Sequence, residues 1–325
     1  MFEPSELIMQ TQHVVRQFPA AGGRTLTACN DISLNIYRGK TLGIVGESGC
    51  GKSTFVRMLT HMDTPTSGSV LFHGTDTQAL RGEALRQHRR HIQMVFQDPL
   101  ASFNPKMKII DILTEPLFNF GMLSKDKKEE KARELLRMVE LPEELLHRYP
   151  HSMSGGQRQR VSIARALALE PEILVCDEAT SALDVSIQKT ILALLVRLQK
   201  EKQISMVFIC HDIALIRSFA HQIAVMYLGD VVEVLPGEHV AQAAHPYTQA
   251  LLGALFSVRM ERRREIAALR GEAPSPLALP QGCPFQTRCP HCTARCQAEK
   301  PQMRQIGSGH FAACHLLHAQ KEATV

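Results

Sequence analysis

Short apolar runs rich in β-branched residues alternate with amphipathic stretches along most of the chain. The runs cover residues 41–45, 92–96, 173–176, 204–210 and 222–228. An alternation of buried strands with helices is typical of a parallel sheet that helices cover on its faces. The pattern therefore predicts an α/β fold built on a largely parallel sheet.

Two helical patterns interrupt this alternation, at 127–141 and 156–169, because no strand pattern lies between them. We interpret them as part of an inserted helical subdomain at about residues 100–168. A third helical pattern, at 184–202, places five apolar side chains on one face: Ile187, Ile191, Leu194, Leu195 and Leu198. Asp184 precedes this helix and is predicted to cap its first turn.

The composition changes beyond Pro236. An arginine-rich segment at 259–270 is followed by three prolines and by five of the nine cysteines, which fall between Cys283 and Cys314. Such a change is typical of a module that is joined through a linker. We therefore predict one large domain at 5–235 and a small cysteine-containing C-terminal module at 236–325.

Length and charge narrow the class of protein. The 325 residues, 44% of them hydrophobic, are enough for a sizeable core. The formal net charge of +5 is too small to indicate a dedicated nucleic-acid binder, so we expect no nucleic-acid partner. The first residues carry acids where a secretory signal would carry bases, and no run approaches the roughly 18 apolar residues that span a bilayer. These features predict a chain inside the cell without a membrane span.

A glycine-rich stretch with one lysine, GESGCGKST at 46–54, lies between the apolar run 41–45 and a helical pattern. In this context the spacing is that of a phosphate-binding loop, whose backbone N–H groups surround a phosphate. A glycine-rich turn without a ligand is the alternative, which the complete spacing disfavours. We expect Lys52 to reach the β- and γ-phosphates of a nucleotide and Ser53 to bind Mg²⁺. The residues expected at the nucleotide are Gly46, Ser48, Gly49, Cys50, Gly51, Lys52, Ser53 and Thr54.

A second chemical motif follows the apolar run 173–176, which ends in two carboxylates. Asp177 is placed to hold Mg²⁺, and Glu178 is placed to polarise the attacking water. A strand that ends in acids is common by itself, but together with the upstream loop the pair indicates an enzyme that hydrolyses nucleoside triphosphates.

Between these motifs lies HSMSGGQRQR at 151–160, which resembles the signature sequence of ABC ATPases, with Met153 where leucine is usual. Other landmarks of that family follow in order: Gln97 resembles the Q-loop glutamine, Ser181–Asp184 the D-loop and His211 the switch histidine. Phe18 lies where the family places an aromatic ring against adenine. Ala179 departs from the usual proline after the catalytic glutamate.

The resemblance implies a P-loop NTPase core of the ABC type and a mechanism that needs two ATPase subunits. Glu178, His211 and Gln97 would then be catalytic, with Ser53, Gln97 and Asp177 around Mg²⁺. Four residues of the signature would contact the ATP of a second subunit: Ser154, Gly155, Gly156 and Gln157. Permease subunits would dock near Gln97 and receive the movement.

Further stretches resemble the ATPases of the dipeptide, oligopeptide and nickel importers, among them SFNP at 102–105, HPYTQALL at 245–252 and GCPF with Arg288 and Cys289. The likeness is to the second of two non-identical ATPase subunits. It implies two membrane permeases, an indirect solute-binding partner, and a peripheral position on the cytoplasmic face of the inner membrane. Peptides, nickel and other metal chelates stay open as substrates. The alternative is a soluble ABC ATPase of nucleic-acid repair or translation.

The clustered cysteines suggest a metal site in the C-terminal module. Cys283, Cys289, Cys296 and Cys314 are separated by 5, 6 and 17 residues, and Cys292 lies among them. Both zinc and an iron-sulfur cluster accept four cysteines. The long irregular spacing, and the presence of a 4Fe-4S cluster in some members of the resembled family, favour the cluster over Zn²⁺ or free thiols.

Overall fold

The structure, a computed structural model, describes residues 3, 6–181, 183–254 and 271–317. The arginine-rich segment 259–270 therefore lies outside the described residues. The strands are β1 (Leu7–Pro19), β2 (Thr25–Ile32), β3 (Asn35–Tyr37), β4 (Thr41–Val45), β5 (Ser67–Phe72), β6 (Thr75–Asp76), β7 (Ile92–Val95), β8 (Ile173–Asp177), β9 (Ser205–Cys210), β10 (Gln222–Tyr227), β11 (Asp230–Pro236), β12 (Arg304–Gly307) and β13 (His310–Ala312). The α-helices are α1 (Lys52–Leu59), α2 (Gly82–His91), α3 (Pro99–Ser102), α4 (Ile109–Asn119), α5 (Lys128–Met138), α6 (Gly155–Leu167), α7 (Val185–Lys202), α8 (Ile213–Ile216), α9 (Pro246–Gly253) and α10 (Ala294–Ala298).

The chain forms two compact units. The first, here the loop unit, draws on Met1–Tyr37, Thr41–Gln78 and Cys210–Val325. It contains an antiparallel sheet in the order β2-β1-β5-β6, with β3 on β1. A second set of strands follows the order β12-β13-β11-β10-β4, in which β10 and β4 are parallel. Every residue of β4 is buried, which explains why this strand reads as a continuous apolar run.

The second unit, here the signature unit, draws on Arg38–Lys40 and Ala79–Ile209. In it β8 lies between β7 and β9 and is parallel to both. The helices α4, α5 and α6 pack on one another around buried side chains such as Leu113, Leu136 and Val161. This packing confirms that a helical subdomain is inserted into an α/β fold.

Most predicted elements are present within one or two residues of their expected bounds. For example, α7 begins directly after Asp184, whose carboxylate accepts a hydrogen bond from the backbone N–H of Ile187 at 3.0 Å. Four of the five side chains predicted on its apolar face are buried, and Ile187 is half-buried. The domain boundaries at 235 and 236, and the limits of the helical subdomain, stay predictions. None of the helices in the described part of the chain combines the length and the apolar character that crossing a bilayer requires.

Candidate functional site

The loop between β4 and α1 needs glycine at two positions for steric reasons. A Cβ atom at Gly51 would lie 2.0 Å from the carbonyl oxygen of Ala28, and the φ of Gly51 is 104°. A Cβ atom at Gly46 would lie 2.2 Å from the carbonyl oxygen of Met226. Only glycine fits such close backbone approaches. The loop is therefore held tightly between neighbouring segments of the loop unit.

Lys52, the first residue of α1, folds back over this loop. Its Nζ donates hydrogen bonds of 2.8 Å to the carbonyl oxygens of Gly46 and Glu47, and its side chain is buried. The two hydrogen bonds place the lysine ammonium beside the N-terminus of α1, where an anion is favoured. Burial raises the pKa of the neighbouring Cys50 thiol, and the nearby Lys52 lowers that pKa only in part. Cys50 is therefore no ready thiolate nucleophile.

Two residues from the C-terminal part of the loop unit also contact the phosphate loop. Arg288 forms an ion pair with the carboxylate of Glu47, and the Tyr247 hydroxyl accepts a hydrogen bond from the backbone N–H of Glu47. Sequence reasoning assigned no role to either contact, because the partners are 241 and 200 residues apart in the chain.

Phe18 lies near the end of β1 and is half-buried. The guanidinium carbon of Arg16 lies 4.4 Å from the centroid of its ring. Such a cation–π contact covers one face of the ring, which leaves at most one face for a nucleotide base. His211 is a further predicted site residue of the loop unit. It directly follows β9 and is exposed.

In the signature unit, β8 ends at Asp177 and the chain turns sharply at Glu178, whose φ is 48°. The backbone N–H of Glu178 donates to the carbonyl oxygen of Ile209 at 3.2 Å. Gln97 donates to the Ser181 hydroxyl at 3.2 Å, and that hydroxyl donates to the carbonyl oxygen of Glu178 at 3.0 Å. The structure thus brings the predicted Q-loop and D-loop residues to the turn that carries Glu178.

The signature residues form the N-terminus of α6 through a capping box. The Ser154 hydroxyl accepts from the backbone N–H of Gln157, and the Gln157 side chain accepts from the backbone N–H of Ser154. A Cβ atom at Gly156 would lie 2.8 Å from the Ile187 side chain, so α6 packs closely against α7 at this point. Gly155 and Gln97 line one cleft of this unit. The exposed Ser154 and the first turn of α6 provide a helix N-terminus suited to an anion.

The C-terminal cysteines are neighbours within the loop unit. The backbone N–H of Cys283 donates to the carbonyl oxygen of Cys296 at 2.7 Å. Burial, followed by the nearby cysteines, raises the pKa of Cys283 to about 12 and raises the pKa values of Cys289 and Cys314. Among the described residues, no three His, Cys, Asp or Glu side chains are placed to hold a metal ion. The geometry therefore lends no support to either a 4Fe-4S cluster or Zn²⁺.

Comparison with known proteins identifies two matched regions. The ABC transporter family matches residues 29–181, and the family described as the oligopeptide/dipeptide transporter C-terminal region matches residues 232–296. A probable peptide ABC transporter ATP-binding protein of Sinorhizobium fredii is 46% identical over 96% of this chain and 90% of its own length. A di/tripeptide transport ATP-binding protein of Pseudomonas aeruginosa is 42% identical over 97% of this chain and 99% of its own length.

The fold is also similar to a solved structure, the dimeric post-hydrolysis state of an ATP-binding cassette bound to ADP and phosphate. That similarity has a TM-score of 0.65 at 32% identity, and it covers 71% of this chain and 99% of the cassette. The phosphate loop around Lys52, the capped signature helix and the extended similarity to the transport proteins agree with one another. The chain therefore belongs to the ATP-binding subunits of ABC transporters, in the group that carries the C-terminal region of oligopeptide and dipeptide transporters.

Proposed function

We propose that this chain hydrolyses ATP to power the import of peptides through separate permease subunits. The observation that carries the proposal is the combination, in one chain, of the phosphate loop with a C-terminal region of the oligopeptide/dipeptide transporter type. Both relatives named above are described as peptide or di/tripeptide transport proteins. These names favour peptides over nickel or another metal chelate. They give no support to a role in nucleic-acid repair or translation.

The predicted site residues are assigned to the binding and hydrolysis of ATP. Backbone N–H groups of the loop and of the first turn of α1, together with Lys52, hold the phosphates, and Phe18 packs against the adenine. Ser53 is assigned to Mg²⁺, which would supply charge neutralisation at the β- and γ-phosphates. Gln97 and Asp177 of the signature unit are also assigned to Mg²⁺. Glu178 orients and polarises the attacking water, while Gln97 and His211 contact the γ-phosphate region. The left-handed backbone of Glu178 supports this assignment, because strained conformations are concentrated at functional sites.

The signature residues are assigned to the ATP of a second subunit. The N-terminus of α6 is exposed at Ser154, and a helix N-terminus suits the γ-phosphate of a nucleotide held by another protomer. The solved cassette with the similar fold is a dimer bound to ADP and phosphate. The partner subunit in our proposal is a non-identical ATPase.

Permease subunits are proposed to dock beside Gln97. Two large apolar side chains close to Gln97 in the sequence are exposed, Phe96 with 37% and Leu100 with 41% of their area. Exposed apolar groups next to a functional residue are typical of a protein interface. The assembly would lie at the cytoplasmic face of the inner membrane and would receive solute from a binding protein.

The function can be tested by deleting the gene and measuring uptake of a radiolabelled dipeptide, a labelled pentapeptide and ⁶³Ni²⁺. We expect loss of peptide uptake only, with recovery on expression of the wild-type chain and no recovery with Lys52→Ala at equal protein levels. Loss of nickel uptake alone would transfer the proposal to metal import. Full peptide transport with Lys52→Ala would refute the ATP-driven role.

We keep the 4Fe-4S cluster as a proposal for Cys283, Cys289, Cys296 and Cys314, with a structural role in the C-terminal module. Its support is the sequence spacing of the four cysteines. Protein purified without oxygen should contain about four iron and four sulfide per chain, with broad absorption near roughly 400 nm. One equivalent of zinc would support the zinc alternative, and metal-free protein would refute both.

A further inference from the structure

The C-terminal part of the loop unit holds Glu47 of the phosphate loop by its side chain. The two guanidinium nitrogens of Arg288 donate to the two carboxylate oxygens of Glu47 at 2.8 and 3.0 Å. Arg288 is only 7% exposed, and it also donates to the Tyr227 hydroxyl at 3.4 Å. A bidentate arginine–carboxylate pair fixes geometry as well as charge. The carboxylate of Glu47 is therefore both oriented and neutralised.

The same part of the chain also holds the backbone of Glu47. The fully buried Tyr247 accepts from the Glu47 N–H at 3.0 Å. Its ring packs against Tyr227 and Phe285, with centroid distances of 4.7 and 5.4 Å. Phe285 is itself buried and starts the turn that carries Arg288, whose N–H donates to the Phe285 carbonyl at 3.1 Å. One aromatic cluster therefore places both contacts to Glu47.

These contacts extend to the lysine of the loop. The Glu47 carbonyl oxygen that accepts from Lys52 Nζ belongs to the residue fixed by Arg288 and Tyr247. Without Arg288, Glu47 would present an uncompensated, partly buried negative charge within the loop that is to receive a triphosphate. Such a charge would repel the phosphates and attract the Lys52 ammonium away from them.

We propose that Arg288 is a positioning residue for ATP. By pairing with Glu47, it maintains the conformation of the phosphate loop that binds the nucleotide and neutralises the Glu47 carboxylate within that loop. The inference rests on the proposed ATP site at Lys52. It gives the C-terminal region a role in nucleotide binding that acts through Glu47, in addition to any role in assembly. The free energy of a hydrogen bond to a charged group is large enough that its loss can change the affinity for ATP about tenfold or more.

The test measures MgATP binding to the full-length chain by calorimetry at low temperature. We expect Arg288→Ala to weaken binding about tenfold or more and Arg288→Lys to weaken it less, because lysine keeps the charge but loses the bidentate geometry. Arg295→Ala is the matched control, since Arg295 lies in the same region but pairs at the surface with Glu299. This control should bind MgATP as the wild type does.

A second variant separates electrostatic positioning from damage to the fold. Adding Glu47→Gln to Arg288→Ala removes the uncompensated charge and should recover most of the lost affinity. In the assembled transporter, Arg288→Ala should raise the KM for ATP about as much as the Kd, while kcat at saturating ATP stays within about twofold. Melting temperatures of all variants, measured without nucleotide, show whether the chain is folded.

The outcomes distinguish this inference from the site proposal on which it rests. If Lys52→Ala binds MgATP as tightly as the wild type, the assignment of the ATP site fails. If Lys52→Ala loses binding while folded Arg288→Ala retains wild-type affinity, only the role of Arg288 is refuted. Failure of Glu47→Gln to recover affinity in folded Arg288→Ala protein would also overturn the electrostatic role.

Discussion

Glu178 adopts a left-handed backbone conformation, with φ of 48°, directly after the buried strand β8. Residues other than glycine seldom occupy this region, and the strain costs of the order of 1–3 kcal/mol. Three hydrogen bonds hold the turn: Glu178 N–H to Ile209, Ser181 to the Glu178 carbonyl, and Gln97 to Ser181. Contacts from the surrounding chain therefore maintain the strained backbone of the turn that carries Glu178.

Glu178→Gln tests the proposed role of this carboxylate. The variant should bind ATP as the wild type does, because binding depends on Lys52 and the loop, but it should hydrolyse ATP at least about 100-fold more slowly because the amide cannot act as a base. The measurement is phosphate release by the assembled transporter alongside ATP affinity. Turnover near the wild-type rate would contradict the assignment.

At the residue scale, the sequence yields candidate reactive residues more readily than it yields the contacts that hold them in place. Lys52 and Asp177 belong to short motifs whose chemistry depends on nearby residues in the chain. The contact between Arg288 and Glu47 joins positions 241 residues apart, and no local spacing encodes it. Arg288 belongs to a stretch singled out for its resemblance to the importers, but its partner becomes visible only when the chain is folded.

At the scale of elements, His245 caps α9 from a buried position. Its Nδ1 accepts from the N–H of Tyr247 at 3.1 Å, and burial lowers the pKa of His245 from 6.5 to about 4. An imidazole that stays neutral in the folded state and gains a proton in the unfolded state makes stability fall as pH falls from about 6.5 to about 4. Tyr247 also accepts a hydrogen bond from Glu47, so the cap helps to position a residue that contacts the phosphate loop.

His245→Asn should remove that pH dependence while it keeps a side-chain acceptor at the cap. Between pH 7.5 and 5, we expect the wild type to lose about 2 kcal/mol more of its free energy of unfolding than the variant does. Urea denaturation of both proteins at the two pH values measures the difference. Equal losses would show that His245 is not the group responsible.

The elements themselves differ in how well the sequence predicts them. The sequence predicts strands β4 and β8 closely because each is a continuous apolar run. It also predicts helix α7 closely, because apolar residues recur at helical spacing after the Asp184 cap. The antiparallel sheet of β1, β2 and β5 was not predicted. In β1 buried residues such as Val14 stand beside exposed ones such as His13, and register shifts interrupt its pairing with β2 and β5, so no clean alternation is visible.

At the scale of the whole molecule, the signature helix should act on the nucleotide of another subunit. Ser154→Arg should leave ATP affinity of the isolated chain unchanged and abolish ATP hydrolysis in the assembled transporter, because the arginine would obstruct the opposite subunit's γ-phosphate. Ser124→Arg, at an exposed position in the same unit, is the control and should be fully active. An equal loss of affinity in the isolated Ser154→Arg chain would argue against action across an interface.

The sequence predicts the organisation of the whole molecule only in part. The α/β fold, the helical insertion and the ABC family were predicted from motifs, and the structure and comparisons confirm them. The sequence does not predict the involvement of the C-terminal region in the loop unit. Tyr247, Phe285 and Arg288 lie in stretches that resemble the importers, but the contacts of Tyr247 and Arg288 with Glu47 join positions 200 and 241 residues apart.

The hairpin of β12 and β13 has a consequence for how this protein can be shortened. β13 pairs with β11 through Glu233 and Val234, so the hairpin covers an edge that β11 would otherwise present to solvent. Unpaired edge strands invite pairing with other chains. A truncated chain ending near residue 270 would expose β11, with its buried Val232, Val234 and Leu235, and should self-associate into insoluble β-rich aggregates. The strand β12 is a less aggregation-prone edge than β11 because it is short and carries the exposed Arg304. The C-terminal hairpin therefore also protects the chain against aggregation.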